Sequence, residues 1–162
     1  MLWLKTICHC GKKTSPLPLD KPLYGDYIIT VGNKEDHTMN LTMDTIAVRD
    51  ETLTAAAEAA HDWVNEWRRT TGGNAYGEPM YCGFAWVTVY PKHKGNTRLG
   101  RLERQTLKEI GLRPDYTGKA YELWNPAAWP GQSMDAKEAG ARAAARVLTK
   151  YGYTAYAGSR AD

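Results

Sequence analysis

Residues 82–90 read Cys82-Gly83-Phe84-Ala85-Trp86-Val87-Thr88-Val89-Tyr90. Phe84, Trp86 and Tyr90 form one alternating set, and Ala85, Val87 and Val89 form the other. Both faces are therefore apolar, the pattern of a strand buried on two sides at the centre of a sheet. Pro91 ends it, because proline cannot donate to a ladder.

The elements that follow alternate in type. Leu99, Leu102, Leu107 and Ile110 fall within one helical arc, and Gly111 follows, so a helix is expected from about Thr97 to Ile110. A strand is expected around Ala120-Tyr121-Glu122-Leu123-Trp124, before the Pro126–Gly131 loop. Asp135 with Glu138 has the shape of a capping box. Ala136, Ala139, Gly140, Ala143, Ala144, Val147, Leu148 and Tyr151 make a broad stripe, so a helix is expected over 135–151. Gly152 stops it, and Tyr153 to Ser159 returns as a strand. Alternation of this kind implies layered packing, with right-handed crossovers wherever neighbouring strands are parallel.

Upstream, Leu53, Ala57, Ala60, Val64 and Trp67 lie on one helical face, with Asp50 as the expected N-cap and Gly72-Gly73 as the stop. Asn40 to Val48 and Tyr27 to Val31 read as short strands. Three prolines within Pro16–Pro22 exclude a helix there. The expected organisation is an irregular N-terminal arm, 1–43, and one compact α/β or α+β domain, 44–162. That domain should hold a small sheet of about three to five strands with about three helices.

The 162 residues suffice for one domain with its own core. Six Trp and ten Tyr exclude wholesale disorder. No run approaches the ~18 apolar residues of a membrane span, so no membrane partner is expected. Three cysteines, two of them one residue apart, do not form a disulfide framework, and the start lacks a signal-peptide pattern. A reducing cytoplasm is the expected compartment. The net charge of +3 is uneven: residues 91–162 carry thirteen basic and seven acidic side chains. That asymmetry favours an acidic partner, nucleic acid being the commonest.

Its densest part is the 97–110 helix. Arg98, Arg101, Arg104 and Lys108 fall opposite the apolar arc, flanked by Lys92, Lys94 and Arg113. Guanidinium forks match phosphate geometry, and Trp86, Tyr116, Trp124 or Trp129 are near enough in sequence to stack bases. The ordinary alternative is a solvated face that keeps the chain soluble. Two further candidates are catalytic. Glu103 lies inside the apolar arc, where burial would suit a carboxyl to acid–base work or simply pair it with an arginine. Cys82 at a strand edge, with His61 or His93 as base, would be a nucleophile, or a small apolar filler. Cys8, His9 and Cys10, with His37, offer metal donors at a spacing unlike a zinc knuckle. The chain carries neither GxGxxG nor a Walker loop, and no cofactor is expected.

Three strings carry a resemblance: Cys82–Val87, Gly131-Gln132-Ser133-Met134-Asp135-Ala136-Lys137-Glu138-Ala139-Gly140, and Ser159-Arg160-Ala161-Asp162. Over residues ~75–162 the chain resembles an uncharacterised group of small tailed-bacteriophage proteins. The resemblance implies a setting, the cytoplasm of an infected host cell or the virion, and no mechanism. Three roles follow as expectations. The first is a non-catalytic accessory protein that binds nucleic acid or an acidic host protein through the basic helix. The second is a virion component that contacts its neighbours through the arm. The third is a small enzyme on a nucleotide or amide substrate using Cys82 or Glu103.

Overall fold

A computed structural model describes residues 44–162 apart from Tyr76 and Met80. The expected arm, its 27–31 strand and the Cys8, His9, Cys10 and His37 donors lie outside the described residues. The elements run α1 (Thr45–Thr71), β1 (Gly83–Tyr90), α2 (Arg98–Ile110), β2 (Arg113–Pro114), β3 (Tyr121–Trp124), α3 (Met134–Lys150) and β4 (Thr154–Ala161). The result is an α+β domain with three helices and one four-stranded sheet in the order β2-β3-β1-β4.

Every neighbouring pair is antiparallel. β2 therefore runs parallel to β1 with β3 between them, and β4 runs parallel to β3 with β1 between them. Each helical crossover skips one strand, so two interleaved βαβ units make the split arrangement of a β-α-β-β-α-β chain. The β1 register sets the two sides of the sheet. It pairs Trp86 with Trp124 and Thr88 with Glu122 on one flank, and Trp86 with Gly158 and Phe84 with Arg160 on the other.

The central strand is covered on one face, not two. Ala85, Val87 and Val89 are 1%, 0% and 0% exposed, whereas Phe84 and Tyr90 are 38% and 49% exposed. The small β-branched and alanine side chains lie under the helices with Leu107, Ile110, Leu112, Ala141, Ala144 and Leu148. The aromatics are on the other side, where no described element covers them.

The first helix starts earlier than expected. Asp44, not Asp50, is its N-cap, accepting from the amides of Ile46 at 3.0 Å and Ala47 at 3.2 Å. Thr45 to Val48 is thus helical rather than strand. The buried stripe is Val48, Thr52, Ala56, Ala60 and Val64, with Leu53 and Ala57 only half-buried. Thr52 is tolerated inside because its hydroxyl donates to the Val48 carbonyl at 2.7 Å.

Small residues let α1 approach α3 closely. A Cβ at Gly140 would stand 2.6 Å from the Ala127 Cβ and 2.9 Å from the Ala56 carbonyl oxygen. The far ends of the two helices are tied by Glu51, which accepts from Lys150 Nζ at 2.7 Å and from the Tyr151 hydroxyl. The Lys150 hydrogen bond, then that of Tyr151, holds the Glu51 carboxyl below its ordinary value. At the start of α3 the cap is Ser133 rather than Asp135, its hydroxyl accepting from the Ala136 amide. Ser133 is fully buried, and Cys82 forms an isolated bridge with it.

Candidate nucleic-acid interface

The uncovered side of the sheet is an aromatic surface. Its alternation brings Phe84, Trp86, Thr88 and Tyr90 from β1, Glu122 and Trp124 from β3, and Tyr156, Gly158 and Arg160 from β4 to one side. Arg113 on β2 pairs with Glu122 and so joins the same side at the opposite edge. Trp86 and Trp124 stack with ring centroids 4.9 Å apart and planes 21° apart. Phe84 meets Trp124 edge-on at 6.3 Å, and Tyr90 meets Tyr156 edge-on at 6.2 Å. The Arg160 guanidinium lies 5.9 Å from the Phe84 ring centroid.

Gly158 makes this packing possible. It sits opposite Trp86, and a Cβ there would stand 2.9–3.0 Å from the indole ring. Trp124 remains 52% exposed and donates its indole N–H to Glu122 at 3.0 Å, while Tyr156 is 59% exposed. Flat π-faces thus lie open, with an arginine at each edge.

One end of this surface deepens into a cleft of about 260 Å³. Phe84, Trp124 and Lys137 line it on the sheet side, and Trp129, Pro130 and Gln132 form the opposing wall. That wall is pinned. The Asn125 side chain accepts from the Trp129 amide and donates to the Trp129 carbonyl, both at 3.1 Å. Glu78 accepts from the Trp129 indole N–H at 2.6 Å and from the Gln132 amide at 3.0 Å. Asn125 and Ala128 both hold left-handed backbone conformations, with φ 43° and 48°. Such strain persists only where the surroundings fix it, as these contacts do.

The residues singled out from sequence are distributed over different places. Arg98, Arg101 and Lys108 are exposed on α2, with Lys92 and Lys94 exposed in the turn before it. Arg104 is turned inward, donating to the carbonyls of Gly100 at 2.8 Å and His93 at 2.9 Å. α2 packs on the covered side of the sheet, so this basic face and the Trp86–Trp124 stack look in opposite directions. Arg113 and Trp124 belong to the aromatic side instead. Trp129 is half-buried against the core, edge-on to His61 with centroids 5.0 Å apart.

Glu103 is 4% exposed, as an inward position on α2 should be. It accepts from the amides of Lys92 at 2.9 Å and His93 at 3.0 Å, and meets His93 Nδ1 at 3.1 Å. The expected arginine is absent from its partners; the carboxylate anchors the turn between β1 and α2. Tyr153, 6% exposed, lies within the field of Glu103, and burial first, then that charge, pushes its hydroxyl up to about 12. Cys82 is exposed at the start of β1, whereas His93 follows its end. An eight-residue strand separates them, a span of about 26 Å at ~3.3 Å per residue. His93 is therefore out of reach as a base for Cys82.

Sequence reasoning did not assign Phe84, Tyr90, Tyr156 or Lys137 to a site. The signal lay in side-chain size: every bulky ring of β1 has one parity, shared only with Thr88, and Gly83, Ala85, Val87 and Val89 have the other. Among the described residues no group of three or more His, Cys, Asp or Glu is placed to hold a metal ion. No described helix is long and apolar enough to cross a membrane. No protein-family model, curated protein or solved structure matches the chain.

Proposed function

We propose that the chain binds single-stranded nucleic acid on the open face of its sheet. The observation that carries this reading is the stacked Trp86–Trp124 pair on a sheet face that no described element covers. Unpaired bases present π-faces that stack on exposed rings with little regard to sequence, whereas bases within a duplex are already stacked. Trp124 and Tyr156 supply the most exposed rings of this sheet face, and Arg113 and Arg160 stand where a backbone would pass at either edge. Glu122, between them, accepts the Trp124 indole N–H and keeps that ring in place. The exposed Arg98, Arg101 and Lys108 on the covered side add to the positive field that draws in a polyanion. In the infected host cytoplasm implied by the resemblance, this is the work of a non-catalytic accessory protein. An acidic protein partner would engage the α2 face and leave the aromatic face idle.

Fluorescence anisotropy with labelled single-stranded and duplex DNA and RNA, at ~50 and ~200 mM salt, tests the reading. Single strands should bind tighter than duplexes and weaken with salt. Trp124→Ala should weaken binding about 5- to 150-fold, the range for one lost base–ring stack. Arg98→Glu with Arg101→Glu should reduce binding less than this at ~200 mM salt, where exposed charges beyond about a Debye length are screened. Loss with the α2 pair but not with Trp124→Ala would move the site to the helix. No binding to any strand would overturn the reading.

A further inference from the structure

The cleft at the end of the aromatic face contains a charge that its surroundings do not balance. Lys137, in the first turns of α3, is 8% exposed. Its ammonium donates to the Gly83 carbonyl at 2.9 Å and stands 5.8 Å from the Phe84 ring centroid. Lys137 takes part in none of the ion pairs among the described residues. A largely buried ammonium held by one carbonyl and one ring face leaves two donors without a charged acceptor, which is costly unless an anion is near. Arg160 also lacks a carboxylate partner, although it is exposed. It is paired with Phe84 across the β1–β4 ladder, lies over the other cation's ring, and has no carboxylate within ion-pair distance among the described residues.

Two cations thus lie near the Phe84 ring: Lys137 within the cleft lining, and Arg160 outside it on the β4 flank. Phe84 and Trp124, which line the cleft, also belong to the stacking surface. A strand lying along the rings cannot continue through that wall, because Asn125 and Glu78 fix it in place. A strand that ends there would place its last phosphate at the cleft.

We propose that the cleft receives the terminal phosphate monoester of a single strand, with Lys137 as the cation inside it, the exposed Arg160 side chain as a second cation approaching across Phe84 from the β4 flank, and Trp124 under the last base. This rests on the reading of the open face as a single-strand platform. A terminal monoester carries up to two negative charges near neutral pH, against one for an internal diester, and so matches two cations better. The same group occurs at a 5′ or a 3′ end, and the experiment separates them.

The test compares one oligonucleotide sequence in three forms: 5′-phosphorylated, 3′-phosphorylated and without end phosphate. Each is titrated against the wild type, Lys137→Met and Arg160→Gln. One phosphorylated form should bind the wild type about tenfold tighter than the bare form, the effect of a charge-assisted contact. Both variants should lose that preference, and Lys137→Met, which is not part of the stacking face, should bind the bare form within about twofold of wild type. Lys137→Met retains the buried stem and removes the charge; Arg160→Gln is on the surface and decides the matter if the first variant does not fold. Equal affinity of the wild type for all three forms overturns the end-phosphate site and leaves the platform standing. Failure of every form to bind overturns both.

Discussion

Replacing Glu103 with alanine separates a structural carboxylate from a chemical one. The side chain is 4% exposed and meets the Lys92 amide, the His93 amide and His93 Nδ1 at 2.9, 3.0 and 3.1 Å. A hydrogen bond to a charged acceptor contributes about 1.5–3 kcal/mol. Three of them would exceed about 5 kcal/mol if every freed donor stayed dry. Lys92 is exposed and His93 half-exposed, so water reaches the freed amides and recovers part of that. The expected loss for Glu103→Ala is about 3 kcal/mol, void included. Glu103→Gln keeps an oxygen for one amide but turns an NH₂ toward the other, and should cost about 1–2 kcal/mol. Urea unfolding followed by far-ultraviolet circular dichroism measures both, with an unchanged m-value as the sign that only stability moved. Folded Glu103→Gln should bind single strands as the wild type does. A loss under about 1 kcal/mol for Glu103→Ala would refute the anchoring role assigned to this side chain.

Gly140→Ala should destabilise by about 1–3 kcal/mol in thermal unfolding, although alanine is the better helix former by ~1 kcal/mol. The added methyl would meet Ala127 Cβ at 2.6 Å and the Ala56 carbonyl at 2.9 Å. Gly158→Ala should leave far-ultraviolet dichroism intact, change the near-ultraviolet signal of the stacked indoles, and weaken single-strand binding about fivefold or more. Tyr153 gives a pH signature. Its hydroxyl is raised from 10.0 to about 12 in the folded state, so its contribution is complete below pH 10 and is lost as pH rises through 12. Stability should fall by up to about 3 kcal/mol across that window in the wild type. Tyr153→Phe should lack that part of the slope, and parallel slopes in the two proteins would show that burial does not hold the proton.

The sequence made the helices and the central strand legible where local chemistry acts alone. Thr97 caps α2 and Gly111 ends it, as spacing and residue type require, and the 82–90 stretch is the middle of the sheet. Boundaries slipped where two residues could serve. Asp44 and Asp50 are both good caps, and Thr45-Ile46 reads as strand until Val48 is seen buried beneath a helix. Ser133 and Asp135 compete in the same way, and burial of Ser133 decides between them. The two-residue β2, one of them proline, has no periodicity to detect; it exists because it is an edge. The larger omission concerns sides. An apolar strand says that rings are near the sheet centre, but only the placement of α2 and α3 on the Ala85–Val87–Val89 side shows which rings stay open. The same placement moved Trp124 and Arg113 away from the α2 basic face with which they had been grouped.

The register has a consequence for how the chain reaches this state. β1 pairs with nothing adjacent in sequence: its partners begin at Tyr121 on one flank, and Gly83 is opposite Ala161 on the other. Helices α1 and α3 can form from local contacts, but the middle strand must wait for two long loops to close before its backbone is satisfied. Until then its three aromatic and three aliphatic side chains have no fixed sides. The Trp86–Trp124 stack, with Gly158 beneath it, joins residues from three distant segments. The appearance of its near-ultraviolet signal during refolding would therefore mark the last step of assembly, when helix formation is already over.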